Sequence, residues 1–153
     1  MKVRKFAKAD LEQVLDLCRE VRDYHIKILG GYFTPQNDEM EQQGFLASLE
    51  DEKITALVAE DKGIIYGYLL ANQKFAPYLE APRVAHISNL GVKQEHRRQG
   101  LGKMLMDEFY EICRQKEINE IRLGVFNKNQ NAYQFYQDYG FEPFEQRMKI
   151  DIK

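Results

Sequence analysis

Cysteine is scarce in this chain: two residues in 153, Cys18 and Cys113, each at an apolar position of a predicted helix. Neither is flanked by a basic turn or paired with a histidine. They read as reduced core thiols, not as a disulfide framework, and a catalytic thiol is the weaker reading. Histidine is also sparse. His25, His86 and His96 are scattered, with no carboxylate or cysteine at ligand spacing, which gives no metal site. No apolar run reaches membrane-spanning length, and the opening MKVRKFAKAD lacks the apolar core of a secretion signal. A soluble cytoplasmic protein without a membrane partner is the expectation. An excess of one charge is missing too: 22 Lys+Arg against 24 Asp+Glu leave −2. That balance argues against a general nucleic-acid binder, which carries a net basic field. Repeats, low-complexity tracts and linkers are absent, so residues 1–153 are most simply one domain. What is present is a core-forming composition, 44% hydrophobic and 12% aromatic.

The order of patterns predicts β-α-α-β-β-β-α-β-α-β-β. Val3 to Ala7 alternates as a strand. Asp10 then reads as a helix N-cap with Gln13 as its capping-box partner. Leu11, Val14, Leu15, Cys18 and Val21 fall at helical spacing, and Gly30-Gly31 stops that helix. Asp38 to Leu49 is a shorter acidic helix. Ile54 to Ala59 and Ile64 to Asn72 are strands joined at Asp61-Lys62-Gly63, with Gly67 marking a bulge or a close backbone approach. Val84 to Val92 is the next strand. Gly100 to Lys116 is a helix with Leu101, Met104, Leu105, Phe109, Ile112 and Cys113 on one stripe. Glu120 to Phe126 is a strand, and Asn129 opens a helix that Gly140 ends. Phe141 to Phe144 and Arg147 to Ile152 read as a closing hairpin.

The stretch that organises the chain is His86 to Lys103. A strand ending at Val92 runs into the basic, glycine-containing turn Arg97-Arg98-Gln99-Gly100-Leu101-Gly102-Lys103 and then a helix. Backbone N–H groups converging at a helix N-terminus bind a dense anion such as a pyrophosphate, and glycine lets its oxygens approach. The nucleotide-binding P-loop fails here because Met104 follows Lys103, and the dinucleotide fingerprint fails because Leu105 takes the third glycine position. Taken alone, the turn is equally a loop that merely starts a helix.

Val92 with Arg97-Arg98-Gln99-Gly100-Leu101-Gly102 resembles the coenzyme A signature Q/R-x-x-G-x-G/A of the GNAT superfamily of N-acetyltransferases. A second motif follows at the expected distance: Leu123, Val125, Asn129, Ala132, Tyr136, Gly140 and Phe141. The resemblance covers nearly the whole chain and is strongest from His86 to Phe141. It implies a mixed α+β, three-layer fold. Its central, mostly antiparallel sheet would have about seven strands, splayed between the fourth and fifth, with four helices on its faces.

By position, the resemblance implies that the turn from Arg97 through Arg98, Gln99, Gly100, Leu101, Gly102 and Lys103 holds the coenzyme A pyrophosphate. Leu90, Gly91 and Val92 would run beside the pantetheine arm, and a backbone N–H near Leu90 or Gly91 would face the oxyanion. Asn129 would contact the pantetheine region, beside its plain reading as an N-cap. The reaction the resemblance implies is acyl transfer from acetyl-CoA, as cosubstrate, to a primary amine of a small molecule, peptide or protein. No metal is expected to take part, and a homodimer is an allowed assembly. An ordinary amine of pKa ~10.4 is neutral to roughly one part in a few thousand at pH 7, so a base or a desolvating slot is useful. Tyr136 is the candidate acid for the leaving thiolate, against a packing role on its helix. His86 is the candidate base, against a satisfied strand histidine; Ser88 and Asn89 are candidates to orient a water in its place. His25 and His96 read as surface or helix residues. The acceptor side would be Gly30 to Asn37 with Phe144 to Met148. Tyr24, Tyr32 and Phe33 are candidates to line it, and Glu39, Glu41 or Glu142 to attract a cation; all fit ordinary surface packing equally. The competing readings are a catalytically inactive acyl-CoA-binding regulatory domain and a nucleotide-binding turn.

Overall fold

Ala56 and Val58 face one way along their strand while Leu57 and Ala59 face the other, and all four are buried. A strand apolar on both sides belongs in the middle of a sheet covered on both faces. The structure, a computed structural model, has that architecture and describes residues 1–30, 38–80 and 82–152. Strand β1 is Lys2–Lys5, β2 Ile54–Asp61, β3 Ile64–Phe75, β4 Arg83–Val92 and β5 Glu120–Leu123. Helix α1 is Leu11–Leu29, α2 Glu39–Ala47, α3 Leu101–Gln115 and α4 Gln130–Tyr139. The sheet order is β1-β2-β3-β4-β5. All neighbours are antiparallel except β4 and β5, which are parallel and joined through α3.

Two apolar clusters sandwich the sheet. Phe6, Val14, Cys18, Phe45 and Tyr68 fill the side of α1 and α2. Leu57, Leu69, Ile87, Leu105, Met106 and Phe109 fill the side of α3, with Phe135 and Tyr139 of α4 packed at its rim. Each large side chain so buried contributes about 1.5–3 kcal/mol. Cys18 and Cys113 lie in these cores, and burial pushes both thiols up to about 11. On α3 the buried stripe is Leu101, Leu105, Met106, Phe109 and Cys113, while Met104 is partly exposed.

Several local expectations change. Asp10 precedes α1 but does not cap it. Its carboxylate accepts from Arg4 at 2.7 and 2.9 Å and from the Ala7 N–H at 2.8 Å, because a fixed guanidinium fork binds a carboxylate better than a single amide does. Gln13 ties α1 to the β2–β3 turn by donating to the Gly63 carbonyl and accepting from the Ile65 N–H. Lys62 and Gly63 take positive φ (50° and 83°), the twist a two-residue hairpin needs. Gly67 serves both suggested purposes. The β2–β3 register shifts beside it, and a Cβ there would stand 3.1 Å from the Gly91 carbonyl oxygen.

The sheet has five strands among the described residues, not about seven. Residues 141–152 form no strand. Phe144, Met148, Ile150 and Ile152 are exposed, so the closing hairpin alternates in sequence but has no surface to bury its apolar face. A two-stranded ribbon without a covered face is marginal in water. No helix among the described residues is long and apolar enough to cross a membrane.

Candidate active site

The site starts from a break in the sheet. β4 pairs with β5 only from Val84 to Ile87, opposite Glu120 to Leu123. On its other side the β3–β4 register shifts: Leu70 faces Asn89 but Ala71 faces Ile87, which leaves Ser88 as the extra residue. A bulge bends its strand and increases its twist. Beyond Ser88 the strand turns from β5, whose chain leaves the sheet after Leu123. A cleft of about 300 Å³ opens between the two. Ile87 to Leu90 form one wall, Leu123 to Phe126 the other. α1 and α2 contribute Arg22, His25 and Glu41, and the start of α4 brings Asn129, Ala132 and Tyr136.

At the far end of β4 lies the basic turn. The backbone N–H groups of Arg98, Gln99, Gly100, Leu101, Gly102 and Lys103 donate to no described acceptor; the first capping bond runs from Met104 to the Gly100 carbonyl, at 2.9 Å. Arg98 and Gly100 hold positive φ (59° and 85°), which curls these amides towards one side. The turn's two glycines serve different needs. A Cβ at Gly100 would meet nothing within 4 Å, so its glycine answers to backbone conformation. A Cβ at Gly102 would stand 3.1 Å from the Phe135 ring, so that glycine lets α3 and α4 close together.

The turn's side chains divide similarly. Arg97 donates to the Val92 carbonyl at 3.0 Å, pairs with Glu20 at 3.2 Å and stacks over Tyr24. It braces the turn against α1. Gln99 donates to the Glu95 carbonyl, and Lys103 pairs with Asp107. Arg98 is exposed and makes no ion pair with a described residue. Gly91 is glycine for packing: a Cβ would stand 2.6 Å from Tyr68 and 2.8 Å from Val21. Tyr68 in turn donates to Asn89 at 3.1 Å, fixing that side chain at the cleft wall.

Tyr136 lines the cleft with its ring against Phe135 and Phe141. Its hydroxyl makes no hydrogen bond to a described residue, and burial pushes its pKa up to about 12. It is a protonated donor at neutral pH. Asn129 is buried, and its Oδ1 accepts from the Ala132 N–H at 3.3 Å. His86 is not brought to this wall. Ala85 and Ile87 point into the α3 core, so His86 points to the other face, two residues before the bulge. Burial, then the charges of Lys74, Arg147 and Arg122, hold its pKa below the usual value.

His25, which the sequence placed on a helix surface, is half-buried in the cleft and bonded to Asn129 at 3.3 Å. The signal for it was available: Cys18, Val21, Arg22 and His25 recur at i, i+3, i+4 and i+7, and all four line the cleft. Of the residues expected on the acceptor side, Glu41 reaches the cleft but is paired with Arg22 at 2.7 Å. Arg22 also meets Asp38, which binds Arg19. Glu39 and Glu142 are exposed and do not line the cleft. Tyr24 lies under Arg97, outside the wall. Tyr32 and Phe33, with Gly31 to Asn37, lie outside the described residues. Among the described residues no group of three His, Cys, Asp or Glu side chains is arranged to hold a metal ion.

The model of the acetyltransferase (GNAT) family matches residues 11–141. N-alpha-acetyltransferase 60 of Danio rerio is 28% identical over 142 residues, covering 82% of this chain and 57% of that protein. The chain spans between 39% and 57% of the length of the curated relatives it matches. Among solved structures, a mutant of the BH1408 protein of Bacillus halodurans is 25% identical. It superposes with a TM-score of 0.90, covering 100% of both chains. Aminoglycoside N-acetyltransferase AAC(6')-Iy, solved in complex with CoA, superposes with a TM-score of 0.74 at 16% identity, covering 99% of each chain. At that identity the likeness is one of fold.

Proposed function

Because the chain belongs to the acetyltransferase (GNAT) family, we propose that it transfers the acetyl group of acetyl-CoA to a primary amine. The observation that carries this reading is the pair of features that β4 joins: six N–H groups, Arg98 to Lys103, that donate to no described acceptor, and the cleft that Leu90 lines opposite Tyr136. Such a donor array suits a pyrophosphate, and Arg98 adds a cation that pairs with no described residue. An opened, unpaired strand edge suits an extended amide-bearing arm. The residues present therefore fit coenzyme A, which when bound supplies the thioester carbonyl to be attacked.

The chain's own groups then have separable tasks. The backbone at Leu90 and Gly91 offers an N–H to the oxygen that gains charge as the amine adds. Tyr136 Oη–H donates to the sulfur as it leaves. The apolar walls of Ile87, Leu123 and Phe126 desolvate the incoming ammonium and so favour its neutral form. His86, held neutral by its surroundings, takes the amine's proton through water, since it lies off the cleft wall. Glu41 and Arg22 stand where the acceptor's polar groups enter.

The test is incubation with acetyl-CoA and an amine panel, reading thiol release. The panel includes peptide α-amines and aminoglycosides, after N-alpha-acetyltransferase 60 and AAC(6')-Iy. Turnover of any amine supports the enzyme reading. Tight coenzyme A binding without turnover on any amine replaces it with a regulatory acyl-CoA-binding domain. Stabilisation by ATP and not by acetyl-CoA overturns both.

A further inference from the structure

Asn129 has two jobs that compete for one amide group. Its Oδ1 is committed: the Ala132 N–H can only donate, and it lies 3.3 Å away at the start of α4. The amide is thereby oriented, and its Nδ2 is the atom that lies 3.3 Å from His25 Nε2. Nδ2 is a donor only, so His25 Nε2 must present a lone pair. The other ring nitrogen, Nδ1, then carries the proton and donates to the Val21 carbonyl one turn back on α1. Phe126 packs against the ring at 6.2 Å and helps hold its plane. The result is a chain of fixed polarity: Val21 carbonyl, His25, Asn129, then the N-terminus of α4. It crosses the cleft from α1 to α4.

We infer that His25 is a positioning residue: by accepting from Asn129 Nδ2 it locks that amide, so the second Nδ2 hydrogen faces the cleft as a donor for a carbonyl of the pantetheine arm. This rests on the reading of the cleft as the coenzyme A slot. Without an acceptor at position 25, the Asn129 amide loses the partner that restrains its carboxamide plane, and the donor is no longer held towards the ligand. The lock works only while His25 is neutral. A protonated ring turns Nε2 into a donor facing a donor. Among the described residues, the groups around the ring include Val21 and Tyr24 of α1, Phe126, and Asn129; the charged residues of the same cleft, Arg22 and Glu41, are paired with each other. Burial keeps the ring neutral at pH 7, with the Val21 bond opposing.

His25→Leu removes the acceptor, and His25→Gln replaces it with an amide oxygen of similar reach. Coenzyme A affinity of the full chain is measured for both against wild type by titration calorimetry at pH 7.5. His25→Leu is expected to bind about three- to tenfold more weakly, the size of one neutral hydrogen bond, and His25→Gln within about twofold of wild type. Wild-type affinity should fall as pH drops below the lowered His25 pKa, and His25→Gln should remain flat there. Equal binding by wild type and His25→Leu overturns the inference. Equal weakening in both variants also overturns it, since that outcome reports ring packing. If His25→Leu does not fold, His25→Gln and the wild-type pH profile decide. Wild type that binds no coenzyme A defeats the slot reading itself. The lock is then still read by nitrogen NMR of the imidazole, where an Nε2–H tautomer in the free protein overturns it.

Discussion

The two halves of β4 are the same strand doing opposite things. From Val84 to Ile87 it is paired on both sides, with β3 and with β5. Past the bulge, from Asn89 to Val92, it is paired with β3 only, and the cleft opens beside Asn89 and Leu90. The difference is made by one bulged residue and by the early end of β5, not by a change in side-chain character. A cleft can therefore be opened in a sheet without emptying the core: Leu57, Leu69 and Leu105 stay fully buried. The comparison predicts that changes around the unpaired half act on binding and rate, while changes around the paired half act on stability.

The largest expected effect lies across the cleft from the unpaired half. Tyr136→Phe should lower the rate of the chemical step by about a hundredfold or more, the size of one general-acid contribution, with little change in coenzyme A affinity. Pre-steady-state thiol release measures it. A wild-type rate with chemistry limiting would return Tyr136 to its packing role against Phe135 and Phe141. Next is the turn that continues the unpaired half. Gly100→Asp places a carboxylate among the free N–H groups at a backbone φ of 85°, and coenzyme A affinity should fall more than tenfold, the loss of at least one charge-assisted contact. Unchanged affinity would sink the pyrophosphate assignment. Gly102→Asp is the poorer test, because its side chain must first displace Phe135.

Gly91 sharpens the comparison because it lies in the unpaired half yet owes its identity to packing. Gly91→Ala forces a Cβ to 2.6 Å from Tyr68, and about 1–3 kcal/mol of stability should be lost to overpacking. Urea denaturation at fixed pH reads this. A variant as stable as wild type would mean that Tyr68 and Val21 yield freely, and that the wall of the cleft is softer than the core behind it.

Local pattern carried most of the architecture. The four helices, the five strands and the Gly30 and Gly140 stops follow from periodicity and punctuation. The glycine turn and Asn129 to Phe141 were legible because their spacing is rigid along the chain. The misses share one physical cause: each depended on a partner that the segment's own pattern does not show. Asp10 abandoned its cap for Arg4 and Ala7. Gly102 answered to Phe135 on another helix. His25 looked like a surface histidine until Asn129, 104 residues on, came to meet it. The last two strands failed for the complementary reason, a local alternation with no surface to complete it. Pattern reports what a segment is able to form, and only tertiary placement decides whether that is used.

The smallest expected effect belongs to the paired half and is the sharpest check on the division drawn along β4. His86 sits there, two residues from the bulge and off the cleft wall. Burial and the neighbouring cations Lys74, Arg147 and Arg122 lower its pKa, so it is neutral and able to accept a proton at pH 7. As pH falls through that lowered pKa, the ring protonates and a base is lost, so the rate should decline on the acid side. His86→Ala should flatten that limb while costing about tenfold at neutral pH, well below the usual contribution of a base in direct contact, because the proton reaches it through water. An identical profile in His86→Ala would remove His86 from the chemistry and leave the paired half purely structural. A loss as large as that of Tyr136→Phe would instead show that the functional region extends past Ser88 into the paired strand, and the boundary would move to Ala85.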